Sequence, residues 1–201
     1  MTQIKERPIL FSGEMVRAIL DGRKTQTRRL FKAKNGGVWP NKNDRPGMQQ
    51  ILRGCPYGQP GERLWVREPF ALSVVDPDGL PPEDDPENYD VIYRADPPPA
   101  GWTDGNGKKA EIPWRSSIHM PRWASRILLE VVSVRVEKLG AISEADCVAE
   151  GCAGGHGSIP GYAYDATPIE HYRALWDCIN GAGDYDKNPW VWVVEFRVLT
   201  R

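Results

Sequence analysis

SGEMVRAILDGRKTQTRR, residues 12–29, runs a helix into a basic turn, and that junction decides how the rest of the chain is read. Ser12 can cap a helix, Glu14 suits its positive end, and Met15, Val16, Ile19 and Leu20 form one apolar stripe. The pattern predicts a helix from about Ser12 to Asp21, closed by Gly22, which can take a left-handed C-cap. Lys24 to Arg29 then fall in the turn and in the strand that follows. From Arg17 to Lys34 there are seven basic residues and one acid, the charge balance of a site for an anionic partner. Three residues apart, Lys24 and Thr27 would point to opposite faces of a straight strand. They meet only if residues 23–26 turn or bulge. Arg23 and Arg28 read as solvated.

Downstream, residues 32–61 read as a long loop, with prolines at 40, 46, 56 and 60. Pro60-Gly61 turns into LWVREPF (64–70), a strand candidate. Residues 71–118 are rich in proline, glycine and charge, with one short strand candidate at Val91–Arg94. They read as a loop-rich insertion with too little apolar material for its own core. Seven acids and no base lie between Asp76 and Asp90, a solvated loop rather than a metal site. RILLEVVSVRVEKL (126–139) is a long valine-rich strand. Ser143 to Asp146 carries a capping-box signature, so a short helix runs to Glu150 and stops at Gly151. GGHGSIPGYAY (154–164) is a loop, and Thr167-Pro168-Ile169-Glu170 opens a second capped helix. Its buried face is Ile169, Tyr172, Leu175, Trp176 and Ile179, ended by Asn180-Gly181. The chain closes on WVWVVEFRVL (190–199), where Trp190, Trp192, Val194, Phe196 and Val198 alternate inward. Helices around a few long, non-local strands predict one α+β domain over residues 1–201, its sheet curling into a small β-barrel.

The 201 residues are 40% hydrophobic, enough for a real core, yet no apolar run reaches the ~18 residues of a membrane span. The opening MTQIKERPILFSGE has a proline and charges where a signal peptide needs an apolar stretch, so the expected location is cytoplasmic. Cys55, Cys147, Cys152 and Cys178 make no CxxC pair. A zinc site of Cys147, Cys152 and His156 would need Cys55 or Cys178 to close it, and free thiols are the better reading. No metal or other cofactor is expected.

The helix, GRKTQTRR, the PGERLWV strand, the long valine-rich strand, SEADCVAEG and the closing WVWVVEFRVL together resemble the ASCH domain. The loop-rich form here is similar to ASCH proteins carried by phages and prophages. The resemblance spans both ends of the chain, leaving about 71–118 outside the minimal domain. It implies a PUA-like β-barrel flanked by helices and an association with RNA and modified nucleobases. Small bacterial members include amidohydrolases that remove the acetyl group from N(4)-acetylcytidine. Carried onto this sequence, their catalytic set falls on Lys24, Thr27 and Glu150. Other members have ribonuclease or plain RNA-binding roles, and the fold alone does not choose among them.

Amide hydrolysis needs a nucleophile, a base for its proton, a donor for the leaving amine and stabilisation of the oxyanion. Thr27 is the expected nucleophile and Lys24 its base, with neighbouring cations lowering the lysine's pKa. Glu150, in the last helical turn, sits at the negative end of the dipole and is the expected proton donor. Arg29 either anchors the loop or contacts a substrate phosphate. On the strand after Pro60-Gly61, Trp65 belongs to the core or stacks on a base, beside Arg67; Glu68 accepts from a base's amine or joins an ion pair. SIHMPRWASR (117–126) groups His119, Arg122 and Trp123, a cation-aromatic set suited to single-stranded nucleic acid, with His119 either structural or at the ligand. The expected partners are a nucleoside, a modified base or single-stranded RNA, with no membrane. A net charge of -1 weighs against tight, non-specific polynucleotide binding.

Overall fold

The computed structural model describes residues 4–32, 45–74, 89–97, 99 and 111–200. Strand β1 (Glu6–Leu10) leads into helix α1 (Gly13–Leu20), where the Ser12 hydroxyl accepts from the Met15 amide at 3.4 Å. Gly22 takes φ +74°, the left-handed region where a side chain is strained. The turn folds back on the helix: the Arg23 and Lys24 amides both donate to the Ala18 carbonyl, at 2.8 and 2.9 Å. Strand β2 (Gln26–Leu30) follows. Next come helix α2 (Arg45–Arg53), strands β3 (Arg63–Arg67), β4 (Phe70–Val74), β5 (Tyr89–Tyr93) and β6 (Leu128–Lys138), helices α3 (Glu144–Ala149) and α4 (Pro168–Asn180), and strand β7 (Trp190–Thr200).

The fold is mixed α+β. Five strands form one sheet in the order β1-β3-β6-β7-β2, parallel between β1 and β3 and antiparallel elsewhere. Among the described residues this sheet is open, with β1 and β2 at its edges, and no closed barrel forms. The edges nevertheless approach each other, because the Arg29 guanidinium on β2 donates to the Leu10 carbonyl on β1. A side chain occupies the seam where a barrel would carry a backbone ladder.

Two cores flank the sheet. Ile9, Val16, Ile19, Leu64, Leu129 and Phe196 fill the face covered by α1. On the other face Val191 and Val193 pack against Cys147, Cys152, Tyr172 and Trp176 from α3 and α4 and the segment after α3. The sequence reading of β7 takes only alternate residues inward. Both faces are buried here, as in any strand sandwiched between layers.

Two expected loops contain regular structure. The 32–61 segment carries α2, and the 71–118 segment pairs β4 with β5 in an antiparallel ribbon. The ribbon has a small core of its own, Phe70, Met120 and Ala124, backed by Leu72, Val91, Tyr93 and Trp123. Its apolar residues come from three separate segments, which a count along the insertion alone misses. Residues 75–88, with nearly all of the acidic stretch, lie outside the described residues. No described helix is long and apolar enough to cross a membrane.

Candidate functional site

Helix α3 begins with the predicted capping box: the Ser143 hydroxyl accepts from the Asp146 amide, and the Asp146 carboxylate accepts from the Ser143 amide. Its C-terminal carbonyls need donors from elsewhere. Thr25 supplies its amide to Ala149 at 2.8 Å, and Lys24 Nζ donates to the Glu150 carbonyl at 2.9 Å. The turn after α1 therefore caps α3. The same Nζ lies 2.6 Å from Glu150 Oε2, so one lysine holds both the backbone and the side chain of Glu150.

Lys24 and Glu150 are buried, at 1% and 5% exposure. Burial lowers the Lys24 pKa; Glu150 works against that shift by charge and hydrogen bond, and Arg29 adds to it. Arg28 approaches the other Glu150 oxygen at 3.3 Å, and also reaches Glu137 at 2.6 Å and Asp146 at 3.3 Å. The solvated reading of Arg28 is thereby corrected. Gln26 and Arg28 share the face of β2 that meets carboxylates from β6 and α3, and the guanidinium is buried among them. Burial opposes its charge, but Glu150 and Glu137 outweigh it and raise the pKa. Arg23 is exposed and pairs with Asp21 at 2.8 Å.

The turn sets Lys24 and Arg29 against one ring but does not join Lys24 to Thr27. Lys24 Nζ lies 5.8 Å from the Phe11 ring centroid and the Arg29 guanidinium 5.1 Å from it. Thr27 and Arg29 share a face by the period of β2. Lys24 precedes that strand, so the turn brings it to the same ring as Arg29. No hydrogen bond joins Lys24 to Thr27. Both of the described Nζ bonds go to Glu150.

Thr27 and Glu150 line a common cleft of about 340 Å³, within the ~300–1,000 Å³ usual for small-molecule sites. Its walls include Tyr57, Tyr172, Trp176 and Trp192, with Leu175 and Ile179 on α4 and Arg29 and Lys32 at β2 and just beyond. Lys24 is not part of the lining; it backs Glu150 from inside the fold. Among the described residues the Thr27 hydroxyl makes no hydrogen bond, although the residue is 2% exposed. Ile179, expected in the buried face of α4, is 55% exposed at this cleft.

The other expected ligand residues lie elsewhere. Trp65 is buried on β3 beneath the Arg67 and Arg122 guanidinium groups, at 4.7 and 5.9 Å. Glu68 is buried and receives Arg126 on both oxygens, at 2.9 and 3.0 Å. Arg122 pairs with Glu6 at 2.8 Å, His119 is exposed in a short 3-10 turn, and Trp123 stacks on Tyr89 at 6.5 Å. None of the five borders the cleft. Of the aromatic residues that do border it, Tyr172 and Trp176 read as the buried face of a helix, Trp192 as an inward position of a strand, and Tyr57 falls in an expected loop.

No group of three His, Cys, Asp or Glu among the described residues is placed to hold a metal ion. Cys147 and Cys152 are buried free thiols whose pKa burial pushes up to about 11 and about 12, while His156 is exposed beside Asp165. Against protein-family models, curated proteins and solved structures, the chain finds no match.

Proposed function

We propose that the chain is an ASCH-type hydrolase that removes an acyl group from the exocyclic amine of a cytosine base or nucleoside. In this reading the curled sheet is a PUA-like barrel whose seam is bridged by Arg29 instead of by strand pairing. The observation that carries the proposal is the meeting of Thr27 and Glu150 in one aromatic-walled cleft, with Glu150 gripped by Lys24 and Arg28. Tyr and Trp faces suit a flat base, and the paired carboxylate supplies a proton-transfer group beside a free hydroxyl.

Chemistry follows from those positions. The Thr27 oxygen attacks the acyl carbon as the Glu150 carboxylate takes the hydroxyl proton. Collapse of the tetrahedral adduct breaks the C–N bond, and Glu150 returns the proton to the departing amine nitrogen. Water then cleaves the acyl-threonine ester, its proton passing through Glu150 and ending on the restored hydroxyl. Lys24, with no hydrogen bond to Thr27, acts through Glu150: it orients the carboxylate and balances its charge. That differs from the sequence expectation of a direct lysine base.

One observation favours a non-catalytic reader of modified nucleotides instead. Glu150 is already satisfied by its two cations, as a purely structural helix-end clamp would be. Incubation of purified protein with N(4)-acetylcytidine separates the two. The hydrolase releases cytidine and acetate, and Thr27→Val loses about 100-fold or more in rate with its fold intact. Binding without release in the wild type establishes the reader, and cleavage of short RNAs without deacetylation would move the activity to a ribonuclease.

A further inference from the structure

We infer that the cleft holds its ligand through a phosphate group bound by Arg29 and Lys32, so that the substrate is a nucleotide rather than a free nucleoside. The inference rests on the base-binding reading above and adds the chemical class of the group beside the base.

Four charged residues line the cleft: Arg28, Arg29, Lys32 and Glu150. Glu150 is matched by Lys24 and Arg28, and Arg28 is further matched by Glu137 and Asp146. Arg29 and Lys32 have no carboxylate partner among the described residues. Among the described residues the wall therefore carries two cations that form no ion pair, although the charge of Glu150 reaches Arg29. For Lys32, exposed just beyond the end of β2, that state costs little. For Arg29 it costs more, since the desolvation of a half-buried guanidinium that meets no carboxylate at ion-pair distance is offset only in part by the charge of Glu150.

The fixing of Arg29 supports a waiting function. Its Nη2 donates to the Leu10 carbonyl and its plane lies near Phe11, so the side chain is held in place before any ligand arrives. Its Nε is buried with no hydrogen-bond partner, a rare condition for a guanidinium nitrogen. Burial also lowers the pKa of the group, the direction that a bound anion reverses. A forked guanidinium plus a mobile ammonium is a pairing suited to phosphate, and the Tyr and Trp walls alongside suit the attached base.

Calorimetric titration of the full chain with cytidine, cytidine 5′-monophosphate, inorganic phosphate and the dinucleoside monophosphate CpC tests the inference. The monophosphate is expected to bind about tenfold or more tighter than cytidine, with the preference shrinking as salt rises. Lys32→Gln, an exposed change that spares the fold, is expected to remove most of that preference. Arg29→Lys keeps the charge and loses the fork, and is expected to weaken the monophosphate less than Lys32→Gln combined with it. CpC binding as tightly as the monophosphate assigns the phosphate to an internal RNA linkage; weaker CpC binding assigns it to a terminal group. Equal affinity for cytidine and its monophosphate overturns the inference and leaves the base site standing. Phosphate binding to which cytidine adds nothing keeps the anion subsite and overturns the base-binding reading.

Discussion

Two clusters of paired charge sit in different parts of the molecule, and the cleft lined by Thr27 borders the one at Glu150. Around Arg126 the guanidinium meets both oxygens of Glu68 at 2.9 and 3.0 Å and both oxygens of Asp96 at 2.8 and 2.9 Å, near the Tyr93 ring. Every strong donor faces an acceptor and no described cleft adjoins the pair. Around Glu150 the cations Lys24 and Arg28 pair with the carboxylate, yet the same residue lines a cavity with Thr27, whose hydroxyl makes no hydrogen bond among the described residues, and with Arg29 and Lys32, which form no ion pair among them. Buried ion pairs by themselves therefore distinguish nothing. What separates a site from a strut is unfinished chemistry facing a space that a ligand can enter.

The comparison breaks first, and by the largest effect, on turnover. Glu150→Gln is expected to lower N(4)-acetylcytidine hydrolysis by about 1,000-fold, as loss of a proton-transfer group does. On stability the two clusters behave alike, because each substitution removes one partner of a buried ion pair. Arg126→Met strands the Glu68 carboxylate, which is 1% exposed, and is expected to cost about 3–5 kcal/mol in denaturant unfolding.

Acid titration sharpens the difference between the clusters. The Asp146 carboxyl is opposed by partial burial, but its bonds to Ser143 and the charge of Arg28 bring its pKa from 3.8 to about 2. The unfolded chain thus binds that proton first, so this contribution is complete above pH 3.8 and is lost as pH falls toward about 2. Glu68 has the opposite sign, because burial outweighs Arg126 and raises its pKa. Its contribution falls as pH climbs above its unfolded value of 4.5. Melting temperatures measured across this range should drop less steeply on acidification in Asp146→Asn than in the wild type. The smallest effect is at the thiols. Exposed Cys178 should react promptly with a thiol reagent at neutral pH, while buried Cys147 and Cys152 should react only on unfolding.

Elements with local signals were legible in the sequence. Ser12 and Gly22 bracket α1, and the boxes Ser143-to-Asp146 and Thr167-to-Glu170 open α3 and α4 where expected, because a cap depends on residues within one turn. Lys24 and Glu150 were nominated by resemblance, and they touch across 126 residues of chain. Arg28 reads as solvated in the sequence because its carboxylates lie more than a hundred residues away, at separations of 109 to Glu137 and 122 to Glu150. The strand expected at Val91–Arg94 overlaps β5, but its pairing with β4 is not legible for a related reason: the core of that ribbon is completed by Met120 and Ala124 from a later segment. Trp192 and Tyr172 were read as interior, which they are, but nothing in an apolar alternation tells a packed ring from one that walls a cavity.

The most direct test sets the two clusters side by side: N(4)-acetylcytidine turnover per folded molecule in Glu150→Gln and in Arg126→Met, with folded fraction taken from circular dichroism. Hydrolysis is expected to be abolished in the first and retained in the second. Equal turnover in both variants would contradict that expectation.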